Sequence, residues 1–288
     1  MKYLAGSLTA LLIATPLLAN IPEGVNTRIM LGLEGPASAK GISNSAVAEL
    51  SLAAQGIDSL VNRNLRTRFW TMEPGGYVPI HDHTNRPAQV VVLTGGVVEF
   101  SSATDERIEH RTNGLSLEEG AIAHWWLNEG SETVHLIAFD VYEVNDAPAE
   151  AAPVPSPVSL SLPDASGADL NLLGVVDIGN HFGDGTGAGL VLSSYQAEIA
   201  PGGVLPDFTG AAEPLQTFVW KGTVTEHRAD GAAVLETLGG SDLSLGQTAW
   251  WENTGDVPAV LYFTTVEPAT EVDGVPRTGQ LAHGSHGD

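Results

Sequence analysis

The 288-residue chain contains no cysteine. Disulfides, thiolate nucleophiles, zinc–thiolate sites and iron–sulfur clusters are therefore excluded. It is also short of positive charge, with 12 Lys plus Arg against 35 Asp plus Glu and a formal net charge of −23. Such a balance repels phosphate backbones and anionic bilayers, so neither nucleic acid nor a membrane surface is an expected partner. Long amphipathic helical patterns are missing, and so are a Gly-rich phosphate loop, a nucleophile elbow and a His-Glu-x-x-His pair. Beyond the N-terminus no apolar stretch is long enough to span a bilayer.

The N-terminus itself reads as a leader. Lys2 supplies a short positive start, and Leu4 to Ala19 carry no charge. That run falls short of the ~20 residues of a membrane span, and Pro16 interrupts it. A signal peptide over residues 1–19 is expected, which places the mature protein in the periplasm or outside the cell. Leu17 is a poor match to the small residue preferred three positions before cleavage.

Proline divides the rest. Pro148, Pro153, Pro155, Pro157 and Pro163 lie among Ala and Ser between 147 and 163. This composition makes a stiff, extended linker. The two flanking segments, 20–146 and 164–270, repeat one another, with 271–288 left as a tail. Pro74-Gly75-Gly76 matches Pro201-Gly202-Gly203, an offset of 127. The same offset carries Pro79 onto Pro206, Pro87 onto Pro214, Gln89 onto Gln216, Gly95 onto Gly222 and Glu99 onto Glu226. Trp125-Trp126 then matches Trp250-Trp251, with Asn128 on Asn253. Duplication is the reading that accounts for this.

Each copy reads as β-structure. Arg66–Met72, Ala88–Leu93, Gly96–Ser101 and Val134–Tyr142 are rich in Val, Thr and aromatics, as are Leu190–Ile199, Leu215–Trp220 and Ala259–Val266. Gly- and Asn-containing turns separate them. Many short strands at close spacing predict a sandwich or closed barrel. Ala46 to Gly56 fits either helix or strand.

One constellation carries chemistry. His81 and His83 are two apart, so on a strand they project to one face while Asp82 points away. His124 opens another strand-like run in which His124, Trp126 and Asn128 share a face. If the two runs are neighbours, three imidazoles converge and leave open positions on one divalent transition metal, with Fe, Mn, Zn, Ni and Cu all admissible. Arg86 is a candidate for a substrate carboxylate or for a salt bridge to a nearby acid. Trp126 is a candidate stacking surface or core residue. Tyr77 is a candidate pocket wall or phenolic acid/base.

The sequence resembles the cupin superfamily. Gly75, His81, His83 and Gly95 fit its first motif, and Gly120, His124 and Asn128 approximate its second. The strings DHTNRPAQVVVLTG and HWWLNEG look like a group of cupin-domain proteins of undefined function. The resemblance implies an all-β bicupin with two tandem jelly-roll barrels. The family's acidic ligand falls on Ala88, so the resemblance implies a three-histidine site, similar to that of some cupin dioxygenases. Gln89 is adjacent and reaches such a site only through a bulge. By the constant offset, His81 becomes Phe208 and His83 becomes Gly210, while the match to His124 is deleted. The second barrel is expected to lack a metal.

These readings converge on an exported, metal-dependent, dioxygenase-like enzyme acting on a small molecule. The alternative is a non-catalytic module that binds a small molecule or metal. Either would be a monomer or homodimer, free of the membrane once the leader is removed.

Overall fold

The computed structural model describes residues 21–104, 107–144, 160–182 and 185–269. The expected leader, linker residues 147–159 and the tail 271–288 lie outside the described residues.

The first half forms β1 (Thr27–Met30), β2 (Leu33–Pro36), β3 (Lys40–Ser51), β4 (Arg63–Thr94), β5 (Gly96–Ser101), β6 (Arg107–Arg111), β7 (Leu115–Leu127) and β8 (Val134–Glu143). The second forms β9 (Ser166–Asp177), the short helix α1 (Ile178–Phe182), β10 (Leu190–Pro206), β11 (Leu215–Lys221), β12 (Val224–Arg228), β13 (Gly231–Leu235), β14 (Gly240–Leu243), β15 (Ala249–Asn253) and β16 (Ala259–Pro268). β1 and β2 pair only with each other. The remaining strands make one antiparallel sheet per half, ordered β3-β4-β7-β5-β6 with β8 on β4, and β13-β12-β15-β10-β16-β11-β14 with β9 on β10. The ambiguous stretch from Ala46 is strand to Ser51, followed by a 3-10 turn at Ala53–Gln55.

The long strands bend at the Pro-Gly-Gly triplets. Gly75 and Gly202 have φ of 68° and 73°, a region that favours glycine. A Cβ on Gly76 would sit 2.7 Å from Gly41 O, and one on Gly203 2.7 Å from Gly167 O. The duplicated triplet is thus one device used twice, letting the backbone turn and pass close to a neighbouring strand.

The run Val90 to Leu93 is apolar without alternation because both of its faces are covered. Val90 and Val92 point into the first barrel beside Met72, Trp126 and Leu136. Val91 and Leu93 pack with Phe139 against Phe218 and Tyr262 of the second half. The interface is also stitched reciprocally. Gln89 Nε2 donates to Leu192 O at 2.8 Å, and Gln89 Oε1 accepts from the Ser194 hydroxyl. Its counterpart Gln216 accepts from Thr67 Oγ1 at 2.8 Å and donates to Leu65 O.

Candidate metal centre

β4 and β7 lie antiparallel, with His81 opposite His124 and His83 opposite Gly120. The side chains of His81, His83 and His124 meet inside the first barrel, with ring centroids 4.5 to 5.1 Å apart. A fourth donor completes the group. Glu118 on β7 joins them, and one ligating atom from each of the four residues lies within 4.8 Å of the others. The cluster thus contains the three expected histidines and, with them, a glutamate. Glu118 is the direct cross-strand partner of Ala88, the position where the resemblance places an acid. The carboxylate comes from the neighbouring strand, and the small Ala88 side chain leaves room for it.

The hydrogen bonds fix where the lone pairs point. His81 Nδ1 faces Pro79 O at 2.9 Å, and His83 Nδ1 faces Arg86 O at 2.7 Å. Carbonyl oxygens only accept, so both Nδ1 atoms carry a proton, and in the neutral form of each ring Nε2 is bare. His124 Nδ1 likewise donates to Glu99 Oε1 at 2.7 Å. The bare nitrogens are crowded together. His81 Nε2 is 3.2 Å from His124 Nε2, and His83 Nε2 stands 2.9 Å from Glu118 Oε2 with no hydrogen-bond partner. Bare lone pairs at these distances repel unless a proton or a metal ion lies between them. The donor set thus fits a divalent metal.

Burial and neighbouring charge act differently on each group. Burial, then His124 beside it, pushes the His81 imidazole down to about 3. Burial disfavours the Glu118 carboxylate, but His83 and His124 outweigh that and hold it below the usual carboxylate range. Burial lowers His124, yet Glu118 and Glu99 outweigh it and raise that group.

Glu99 orients His124. Its second oxygen accepts from His110 Nε2 at 2.7 Å, and the His110 ring stacks on Trp126 at 5.0 Å. A carboxylate behind a ligating imidazole fixes its tautomer and raises its basicity.

Two cavities touch the cluster. One of about 560 Å³ is lined by His83, Glu99, His110, Glu118 and His124. The other, about 310 Å³, is lined by His81, Glu118, Arg68, Arg86, Trp70 and Trp126. Beside this second cavity Asp140 is fully buried under three arginines. Arg66 binds it at 2.9 and 2.8 Å through two nitrogens, Arg68 at 2.8 Å, and Arg86 approaches to 3.7 Å. Burial and the crowding by Arg66 and Arg86 outweigh Asp140 and lower the Arg68 pKa to about 10.

Other sequence candidates land elsewhere. Arg86 and Trp126 line the smaller cavity. Gln89 does not face the cluster, because Ala88 to Val91 pair with β7 without a further shift and turn Gln89 into the interface between halves. Tyr77 packs with Ile80, Phe100 and Trp125 on the opposite face of the sheet, away from both cavities. Asn128 is a turn brace: its amide donates to Met72 O and Glu132 O and accepts from Gly130 N. Asn253 makes the same three bonds in the second half, to Ile199 O, Val257 O and Gly255 N.

In the second barrel the register gives equivalents for two of the ligands. Glu99 pairs with Trp126 as Glu226 pairs with Trp251, and Ser101 with His124 as Arg228 with Ala249. Ala249 thus occupies the place of His124, a replacement rather than the deletion inferred from the linear match. Ala88 pairs with Glu118 as Leu215 pairs with Leu243. Leu243 and Ala249 stand where Glu118 and His124 stand, while Phe208 and Gly210, the offset partners of His81 and His83, lie in the loop after β10.

No family model matches the chain, and no curated protein matches it. Solved structures do. A protein described as glyoxylate-induced, from Pseudomonas aeruginosa, aligns with a TM-score of 0.55 at 11% identity over 84% of each chain. The oxalate decarboxylase of Lactobacillus farciminis, solved as a formate complex, aligns with a TM-score of 0.54 at 12% identity over 85% of this chain and 84% of that one. The oxalate decarboxylase of Bacillus subtilis gives 0.51 at 12% identity over 84% and 75%. At such identity the likeness is one of fold. The chain is built as a bicupin, two tandem cupin barrels, of which the first carries a histidine–glutamate cluster able to hold a metal.

Proposed function

We propose that the first barrel holds one divalent transition metal on His81, His83, His124 and Glu118, and that the protein is a metal-dependent enzyme acting on a small molecule in an adjoining cavity. The observation that carries this reading is the convergence of three imidazole Nε2 atoms and a carboxylate, each imidazole being fixed from behind by an oxygen acceptor. When bound, such an ion supplies Lewis-acid or redox chemistry. The chain's own residues set the stage. Pro79 O, Arg86 O and Glu99 hold the imidazoles, Trp126 and Trp70 exclude water from one side, and Arg68 and Arg86 present positive charge beside His81. The solved neighbours that are oxalate decarboxylases are compatible with a metal-dependent lyase as readily as with an oxygenase. The three-histidine ligand set that favoured a dioxygenase is replaced by one containing glutamate. Export to the periplasm or beyond remains part of the proposal and rests on residues 2–19 alone.

A second reading has its own support. The charged groups lining the smaller cavity are His81, Glu118, Arg68 and Arg86, so every one of them is a proposed ligand or an arginine. That cavity has no separate proton carrier, which favours a binding module without turnover.

Elemental analysis of untagged protein tests the site. Near one metal per chain is expected, falling to near zero in His81→Ala with the fold retained by circular dichroism. Metal content that is unchanged in His81→Ala would sink the proposal. Substrate depletion or oxygen uptake across a panel of small acids and diketones separates enzyme from binder.

A further inference from the structure

We infer that the smaller cavity binds a small monocarboxylate with an apolar or aromatic body, its carboxylate on Arg68 and Arg86 and its body against Trp70 and Trp126. The inference leans on the proposed metal centre only for what lies at the far, His81 and Glu118, side of the cavity.

The charge arrangement is the first argument. Three arginines gather here in a chain with only 12 Lys plus Arg and a net charge of −23. Asp140 cannot satisfy them all. Its two oxygens are taken by Arg66 through two nitrogens and by Arg68 through one. Arg68 Nε is buried and has no partner. Arg86 makes only the 3.7 Å approach, beyond hydrogen-bond reach. A buried donor without an acceptor, as Arg68 Nε is, is costly. Glu118 is the one acid lining the cavity, and it belongs to the proposed ligand set, which leaves Arg68 and Arg86 without a carboxylate of their own on the cavity wall.

The shape of the donors selects the anion. Guanidinium forks match a planar carboxylate. Arg68 is held in place over the Trp70 ring at 4.8 Å. Ile42, Val90, Leu136 and Ala138 complete the cavity wall, with Asn44 as the one neutral polar side chain. A sugar or polyol would leave hydroxyls unpaired there. At about 310 Å³ the cavity is at the small end of the ~300–1,000 Å³ typical of ligand sites.

The second barrel removes the plain structural explanation. Arg66 pairs with Asp140 across β4 and β8 as Ser193 pairs with Thr265 across β10 and β16. Tyr195 stands in the place of Arg68. The same strands therefore pair without any basic cluster, and that cluster is missing from the barrel that also lacks the ligands.

Benzoate and 3-methylbutanoate, each against its amide, and inorganic phosphate are the probes. Titration calorimetry and tryptophan fluorescence are read on the full chain, with metal content measured on the same samples. At least one acid should bind saturably, at least tenfold tighter than its amide, and change the fluorescence. Trp70→Phe should reduce that fluorescence change. Arg86→Gln should weaken acid binding at least tenfold without changing metal content, and Arg68→Lys gives a second test in a variant that keeps the charge beside Asp140 and should also bind more weakly. The inference is overturned if no acid outbinds its amide, if phosphate binds and the acids do not, or if Arg86→Gln leaves acid affinity unchanged. Absence of metal with acid binding intact would count against the proposed metal centre and not against this cavity.

Discussion

The two barrels share a backbone plan and differ in what fills it. In the first, the interior around His81, His83, Glu118 and His124 is polar, and each histidine is backed by an oxygen acceptor. In the second, the equivalent space is a dry core of Leu205, Leu215, Leu243, Ala249, Trp251 and Phe263. The Trp251 and Phe263 rings pack edge to face at 4.9 Å. The outer acid survives in both. Glu99 accepts from His124 and His110, whereas Glu226 accepts from Arg228 at 2.7 Å, Ser241 at 2.7 Å and Trp251 Nε1 at 3.2 Å. A buried carboxylate that orients a ligand in one copy has become a purely structural hub in the other. The comparison teaches that this framework is stable without the polar cluster, so the cluster in the first barrel is there for something other than the fold.

The strongest way to break the contrast is to exchange the residues at one equivalent position. Glu118→Leu should abolish stoichiometric metal while leaving the barrel folded, since it reproduces the second copy's solution. Leu243→Glu should destabilise the protein by about 3–5 kcal/mol, because it buries a carboxylate with no cation prepared for it. Elemental analysis and denaturant unfolding read the two outcomes. If Glu118→Leu retained full metal, the four-donor site would be wrong.

A finer contrast lies in the retained acids. Glu99→Gln should lower metal affinity by ~10–100-fold, the usual effect of removing the group behind a ligating histidine. Glu226→Gln should leave affinity alone and cost about 1–3 kcal/mol through its donors. Chelator competition and chemical denaturation distinguish them, and equal effects on metal affinity would contradict the assignment.

The smallest effects are expected where the copies behave alike. Gln89→Leu and Gln216→Leu each strand buried groups of the opposite half, and each should cost about 1–3 kcal/mol of stability with metal content unchanged. A large loss of metal in Gln89→Leu would return that residue to the site.

Much was legible in the residues themselves. The constant offset revealed the duplication, and the Pro-Gly-Gly triplets do mark the equivalent bends. Strand alternation placed His81 and His83 together, set Trp126 inward and Trp125 outward, and pointed Gln89 away from the site. All of these are local properties, set by a period of two along one strand. Glu118 escaped because nothing near it in sequence names it a ligand. It enters the site through its register opposite Ala88, across a β4–β7 ladder that shifts at Val78, His81 and His83. Asn128 fits a motif yet braces a turn, and Tyr77 sits in a core on the opposite face.

The amino-acid order alone determined the repeat, the β-class of each copy and the facing of neighbouring histidines, because these follow from spacing within one stretch of chain. Pairing register and packing between halves decided the carboxylate ligand, the arginine cluster on Asp140 and the role of Gln89. Those depend on which strands lie side by side and how irregularities slide them, and only the folded barrels contain that information.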